Sequence, residues 1–179
     1  MLGRLFEKSR RRNAAGSLYG SAVVQARLPD LYGDSGVPDT VDGRFDMIAL
    51  HVFLVLHRLK HHEARGGEVA QALFDAMFAD MDRGLREMGA GDLGVGRRVK
   101  AMAKAFYGRI AAYERGLAEG EEALAAAVLR NIFRGDPAKS AAASRIATYM
   151  YSQVAALERQ PLDALIEGRV AFAEGAPAQ

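Results

Sequence analysis

Ten consecutive residues, Met47 to Leu56, are apolar but for His51. A helix that is apolar all round cannot lie on a surface, and ten residues are only about half of what crosses a bilayer. The rest of the chain must therefore wrap around this segment, with the buried centre at Phe45 to Leu59 and Phe45, Phe53 and Leu54 as core side chains. His51 becomes a buried polar group that needs a hydrogen-bond partner. His57 and His61 stand four apart, a spacing that suits a metal on one helix face. No acid falls on the His57/His61 face within a helical turn to act as a third ligand, so neither a metal site nor a cofactor site is expected.

What wraps the segment is helical. From Val95, the residues Val99, Met102, Phe106, Ile110, Tyr113 and Leu117 recur at steps of four, three, four, four, three and four. At about 100° per residue they form one apolar stripe, with Val99, Phe106 and Tyr113 in the core. Arg97, Lys100, Lys104 and Arg115 fall on the opposite face. Asp92 is the expected N-cap. The preceding segment carries Leu73, Met77, Leu85 and Met88, flanked by Phe74, Phe78 and Met81, a face wide enough for two neighbours. The glycines at 89, 91 and 94 spell G-x-G-x-x-G, but a helix precedes them where a dinucleotide fingerprint needs a strand. Gly89 reads instead as the left-handed residue that closes a helix.

The two arms of this hairpin differ in charge. Ala72 to Asp92 holds five acids against two bases, and Leu93 to Leu117 six bases against one acid. Two readings stay open: salt bridges across the hairpin, or a cationic face that meets something anionic. Asp80, Asp82, Arg86 and Glu87 form the densest polar knot, placed either to lock the hairpin or to bind a partner. Asp80 and Asp82 are two apart and point away from each other on a helix, so they form no catalytic dyad. Nothing resembling a Ser–His–Asp set or a nucleophile elbow is present, and no enzyme activity is expected.

In the remaining sequence, residues 1–13 read as a flexible basic arm, with Leu2, Leu5 and Phe6 as a weak foot for an anionic surface. A short helix follows from Ala14 to Arg27 and stops before Pro29. Gly66-Gly67 reads as the turn into the next helix. Further helices span Gly120 to Arg134 and Asp136-Pro137 to Arg159, with a short turn or helix over Leu162 to Glu174. Residues 14–174 form one domain, and 175–179 are expected to be disordered. The fold class is an all-α, single-domain bundle of six to seven helices around a central apolar helix. The 179 residues contain no cysteine and carry a net charge of only +2, so neither disulfides nor wholesale polyanion binding is implied.

The run LFDAMFADMDRGLREMGAGDLGVGRRVKAMAKAFYGRIAAY resembles the ubiquinol–cytochrome c chaperone family, assembly factors of the respiratory bc1 complex. A second match runs from Leu50-His51-Val52-Phe53 to Arg58-Leu59-Lys60, where mitochondrial members carry tryptophan at the position of Phe53. The likeness covers roughly Val41 to Leu117 and is to a bacterial-type member. It implies a chaperone that holds newly made cytochrome b, without catalysis or cofactor, in the cytoplasm or on the inner face of the cytoplasmic membrane. Mitochondrial members act near the ribosome exit, which implies the ribosome surface as a further partner, beside transient anionic membrane contact. Specific DNA binding is not implied. The alternative is a helical ribosome- or nucleic-acid-binding adaptor that uses Arg97, Lys100 and Lys104. Met77, Met81, Met88 and Met102 suit either an adaptable client surface or ordinary core packing.

Overall fold

The computed structural model describes residues 2–33, 36–60, 63–87, 89 and 92–174; the side chains of 2–5, 63–65 and 92–93 are not considered. Seven α-helices and two short 3-10 turns make up the regular structure, and no strand occurs among the described residues. In chain order they are α1 (Leu2–Ala26), α2 (Val41–Lys60), α3 (Glu63–Glu87), α4 (Asp92–Glu119), α5 (Glu121–Ile132), α6 (Ser140–Glu158) and α7 (Leu162–Ile166). The 3-10 turns are Pro29–Leu31 and Pro137–Lys139.

α2 is the central helix and packs against α1, α3, α4, α5 and α6. Its faces divide the core. Met47, Leu50, Phe53 and Leu54 pack with Leu124 and Val128 of α5 and Ile146 and Met150 of α6. Val52, Val55 and Leu59 pack with Leu18 and Ala22 of α1 and Leu73 and Met77 of α3. A helix with helices on every side has no face to spare for water, which is why its sequence shows no polar stripe. His51, Phe53, Leu54, Met77, Phe106 and Tyr113 are buried as expected. Phe45 and Val99 are only half-buried: Phe45 lies near the start of α2 under the Arg109 guanidinium, and Val99 packs partly covered against the half of the core shared with α1 and α3. Met77 belongs to the core, and Met81 and Met102 pack partly buried against it, so packing takes these methionines rather than an open client surface. Met88 lies outside the described residues.

Three boundaries differ from the sequence reading. The helix expected from Ala14 begins at Leu2, so the stretch read as a separate arm is the first half of α1. Arginine and lysine are good helix formers, no breaker interrupts the run, and Arg11 is anchored by an ion pair to Glu68 on α3. Gly66 and Gly67 do not form a turn but lie in the first two turns of α3. A Cβ on Gly66 would sit 2.8 Å from the Leu59 carbonyl oxygen, so glycine there lets α3 start hard against the end of α2. After α7 the chain leaves helical geometry at Gly168, φ 88°, and residues 169–174 run back extended over α6. Two glutamines, Gln153 on α6 and Gln160 just beyond its end, hold this strap. Gln153 exchanges a pair of hydrogen bonds with the backbone of Ala173 (2.8 and 3.1 Å), and Gln160 does the same with Ala171 (2.9 and 2.6 Å). Residues 175–179 lie outside the described residues.

Other signals fall where the sequence places them. Gly89 has φ 82°, and its N–H donates to the Arg86 carbonyl, the bond of a Schellman-type helix end. The Asp136 carboxylate accepts from the Ala138 N–H at 3.0 Å, capping the 3-10 turn that leads into α6. α4 starts at Asp92, whose side chain is outside those described.

Leu54 and Phe106 are both fully buried. Replacing either by alanine is expected to destabilise the fold by about 2–5 kcal/mol in denaturant melts. A loss below about half a kcal/mol would mean that the cavity is not in a packed core.

Candidate functional site

The apolar stripe of α4 is turned inward at Val95, Phe106 and Tyr113, so the helix must show its other face to solvent. Arg97, Lys100, Lys104 and Arg115 are all exposed there, and none pairs with an acid among the described residues. Tyr107, one turn beyond Lys104, continues that face and stays 57% exposed while its ring lies 5.2 Å from Phe74 of α3. The sequence reading passed over Tyr107, although its three-residue step from Lys104 was the available signal.

The acidic knot of α3 forms its described pairs within α3 and with α1. Arg86 Nε donates to Asp82 at 2.7 Å, and Arg83 turns back to Asp80 at 3.7 Å rather than forward to Glu87. Glu87 is exposed. Asp80 also accepts from the Tyr19 hydroxyl of α1 at 2.8 Å. Burial raises the Tyr19 phenol, and Asp80 raises it further, so the proton stays on tyrosine. The candidate residues Asp80, Asp82, Arg86 and Glu87 on one arm, and Arg97, Lys100, Lys104 and Arg115 on the other, are thus joined by no described hydrogen bond or ion pair. The described ion pairs of this knot lie within α3, one turn apart, as the i, i+4 spacing of Asp82 and Arg86 leads one to expect. The α3 knot ties α3 to α1 instead.

The charged links that hold α4 are on its inner side, and sequence reasoning missed them. Asp46, 2% exposed on α2, receives Arg109 Nη2 of α4 at 2.5 Å, and Arg134, just after α5, approaches its other oxygen at 2.9 Å. Burial pushes the Asp46 carboxyl up, against the pull of the two guanidiniums. Arg109 also lies over the Phe45 ring at 5.3 Å. A turn or two further, Glu114 accepts from His57 Nδ1 at 3.0 Å and from Lys60 at 3.2 Å. Burial works to raise the Glu114 carboxyl, but His57 and Lys60 outweigh it and hold it low. His57 therefore serves as an interhelix contact, and His61 lies outside the described residues. The signal for Asp46 was a lone acid directly before the apolar decad.

His51 is fully buried and fully partnered. Its Nδ1–H donates to the Met47 carbonyl at 2.8 Å, and Nε2 accepts from the Tyr149 hydroxyl at 2.7 Å. Gln25 of α1 donates to the same hydroxyl at 3.0 Å, so the chain of bonds crosses from α1 through α6 to α2. Burial pushes the imidazole down to about 4 and the Tyr149 phenol up to about 12. Phe172 of the strap meets the imidazole edge-on at 5.4 Å. His51 and Tyr149 are buried within this network, which links three helices, with Gln25 half-buried at its α1 end. Among the described residues no three His, Asp or Glu side chains converge to hold a metal ion, and no helix is long and apolar enough to cross a membrane.

Taken together, these features define an all-α protein that presents helix faces, one cationic and edged by an exposed tyrosine, around a buried central helix. The chain belongs to the ubiquinol-cytochrome C chaperone family, whose model matches residues 33–172. The match extends beyond Val41 to Leu117 and takes in α5, α6, α7 and most of the strap. The crystal structure of the Cbp3 homolog from Brucella abortus is 38% identical and superposes with a TM-score of 0.83 over 97% of both chains. Ubiquinol-cytochrome-c reductase complex assembly factor 1 of Xenopus laevis is 26% identical over 137 residues, 75% of this chain and 68% of that one. The Drosophila melanogaster protein of that name is 24% identical over 173 residues, 93% of this chain and 67% of its own. The chain spans 43% of the mouse relative, at 27% identity.

Two outcomes test the buried links. With His51 titrating near 6.5 when unfolded and about 4 when folded, the unfolded chain binds more protons between these values. Stability is therefore expected to fall as pH drops through that window, by roughly 3 kcal/mol from this group. His51→Gln should be less stable at pH 7 and show a shallower loss over the window in melts against pH. Separately, Arg109→Met leaves Asp46 buried beside only the exposed Arg134 and should destabilise by about 3–5 kcal/mol. Adding Asp46→Asn should recover much of that loss.

Proposed function

We propose that this chain is an assembly chaperone of the bc1 complex that holds newly made cytochrome b before it is joined to its partners. The observation that carries the reading is family membership over residues 33–172, supported by likeness to the Cbp3 homolog across nearly the whole of both chains. Relatives named as assembly factors of ubiquinol-cytochrome c reductase supply the complex. Cytochrome b is its membrane-embedded polypeptide, and a newly made membrane helix needs apolar contact until it is packed. A protein of helix faces answers that need without chemistry. The proposed place of action is the inner face of the cytoplasmic membrane, where such a polypeptide is inserted.

In this reading the cationic face of α4 brings the chaperone to an anionic surface, of the ribosome or of the membrane, while client contact lies elsewhere. Arg97, Lys100 and Lys104 point to solvent and α3 leaves them unneutralised, which supports a long-range, salt-sensitive contact. The second reading, an adaptor that uses this face without holding a client, draws on the same observation together with exposed Tyr107.

Reversing Arg97, Lys100 and Lys104 to glutamate should leave the melting temperature nearly unchanged, because these side chains are solvated. Sedimentation with ribosomes, or flotation with anionic vesicles, should weaken markedly, and wild-type association should fall steeply with salt. A deletion strain with a normal bc1 complex would remove the chaperone reading. A strain that loses cytochrome b on deletion but not on stripe reversal would separate client holding from the cationic face.

A further inference from the structure

Residues 169–174 lie on the helices as a bound peptide lies on its receptor. Exposure alternates along them: Arg169 and Ala171 are exposed, while Val170 and Phe172 are half-buried against both halves of the core. Successive side chains of an extended chain point to opposite sides, so the core surface meets only every second one. The backbone between them is held by side chains. Gln153 Nε2 donates to the Ala173 carbonyl at 3.1 Å, and its Oε1 accepts from the Ala173 N–H at 2.8 Å. Gln160 treats Ala171 in the same way, at 2.6 and 2.9 Å. Each amide thus offers one residue the pair of bonds that a residue of a neighbouring strand would exchange with it. In recognition of this kind main-chain bonds supply affinity, and alternate side chains supply selectivity.

The two amides are set independently of the strap. Gln153 is fully buried, and Gln160 Nε2 also donates to the Ala156 carbonyl at 3.1 Å. Were the strap to leave, Gln153 would remain as a buried amide with donor and acceptor both idle, which is costly. The vacated surface therefore favours another backbone in the same register. The strap's own hold is local. Arg169 N–H donates to the Ala164 carbonyl, and beyond it the described backbone bonds of the strap are the four to the glutamines. Its pivot is Gly168, φ 88°, where a Cβ would sit 2.7 Å from Ala14 Cα. α7 is thus fixed against α1 up to the pivot, and the chain after it is held by side chains alone. A segment with few buried contacts and no helix or sheet of its own opens at the low end of a protein's range of local stabilities.

We propose that this surface is a binding site for an extended polypeptide segment with apolar side chains at alternate positions, and that the strap occupies it in cis as a competitor. The site stands on the strap's own contacts. Only the identity of the outside segment, a stretch of a newly made client not yet folded into helix, rests on the chaperone reading. A short tether gives the strap an effective concentration on the order of millimolar, so it excludes weak ligands and yields to a segment that is held more tightly or delivered close by.

The test uses the full chain and a synthetic peptide with the sequence of residues 168–174, blocked at both ends, with a fluorophore after its last residue, read by anisotropy. Combining Val170→Asp with Phe172→Asp loosens the cis strap and leaves Gln153, Gln160 and the helices unchanged. This variant should bind the peptide at least tenfold more tightly than wild type. Gln160→Ala in the same background should weaken binding at least tenfold. A peptide N-methylated at Ala171, which cannot donate to Gln160, should lose at least as much, and one with aspartate at both apolar positions should not bind. No gain of binding by the folded double variant, or binding indifferent to both Gln160→Ala and the N-methyl group, would overturn the proposal. So would self-association of the variant that the peptide fails to reverse, which would assign the surface to a second copy. If the double variant does not fold, hydrogen exchange in wild type decides. The Ala171 and Ala173 amides should exchange at least a hundredfold faster than those of Met150 and Val154 on α6, whereas equal rates would mean that the strap leaves only on global unfolding and would refute the site. A deletion strain with a normal bc1 complex would remove the chaperone reading and leave these measurements as they stand.

Discussion

Burial of α2 on every side sets the terms for the other helices. A helix can be enclosed only if its neighbours supply apolar faces in several directions, and α1, α3, α5 and α6 each give their one good stripe to it. α4 is held differently. It gives Phe106 to the side shared with α1 and α3 and Tyr113 to the side shared with α5 and α6, so it closes both halves of the core along one edge. With its packing stripe committed in this way, Arg97, Lys100, Lys104 and Arg115 have nowhere to go but outward, while Arg109 turns in to Asp46.

Enclosure also decides which polar groups on α2 are tolerable. Asp46 and His51 are fixed points because each would be costly unpaired. Asp46 gathers Arg109 and Arg134, and so ties α2 to α4 and to the end of α5. His51 gathers Tyr149, and through it Gln25, which ties α2 to α6 and α1. Hydrophobic contact is non-directional and would allow these helices to slide. The two polar sets have fixed geometry, and with Glu114 on His57 and Lys60 they set the register of the helices that touch α2. The strap belongs to the same arrangement: Val170 and Phe172 contribute to both halves of the core, and Gln153 and Gln160 satisfy backbone that no helix partner could.

The fold was legible where one periodicity acted alone. The apolar decad identified the central helix, and the four-three steps from Val95 to Leu117 gave both faces of α4. Legibility failed where a tertiary contact overrode a local sign. Gly66 carries the usual mark of a turn, yet close approach to Leu59, not a reversal, is what excludes a side chain there. A basic N-terminal stretch looks like a tail until Arg11 finds Glu68, fifty-seven residues away. The candidate site was legible only in part. Exposure of Arg97, Lys100, Lys104 and Arg115 follows from their helical phase, so it could be read. The Asp82–Arg86 pair follows from its i, i+4 spacing, but the Tyr19 hydroxyl on Asp80 depends on α1 lying beside α3, which sequence spacing does not give.

α3 carries out two separations at once. Towards α1 it shows small residues and the acids Asp75 and Asp80, and towards α4 it shows Phe74 and Phe78, which stack on Phe106 and Tyr107. The aromatic side is filled by the chain itself, and the small-residue side is left open. The cationic face of α4 lies across the aromatic side from these acids, with no described ion pair linking the two. On the proposed reading, charge on Arg97, Lys100 and Lys104 brings the protein to an anionic surface while the aromatic packing beneath α4, which salt does not screen, stays as it is.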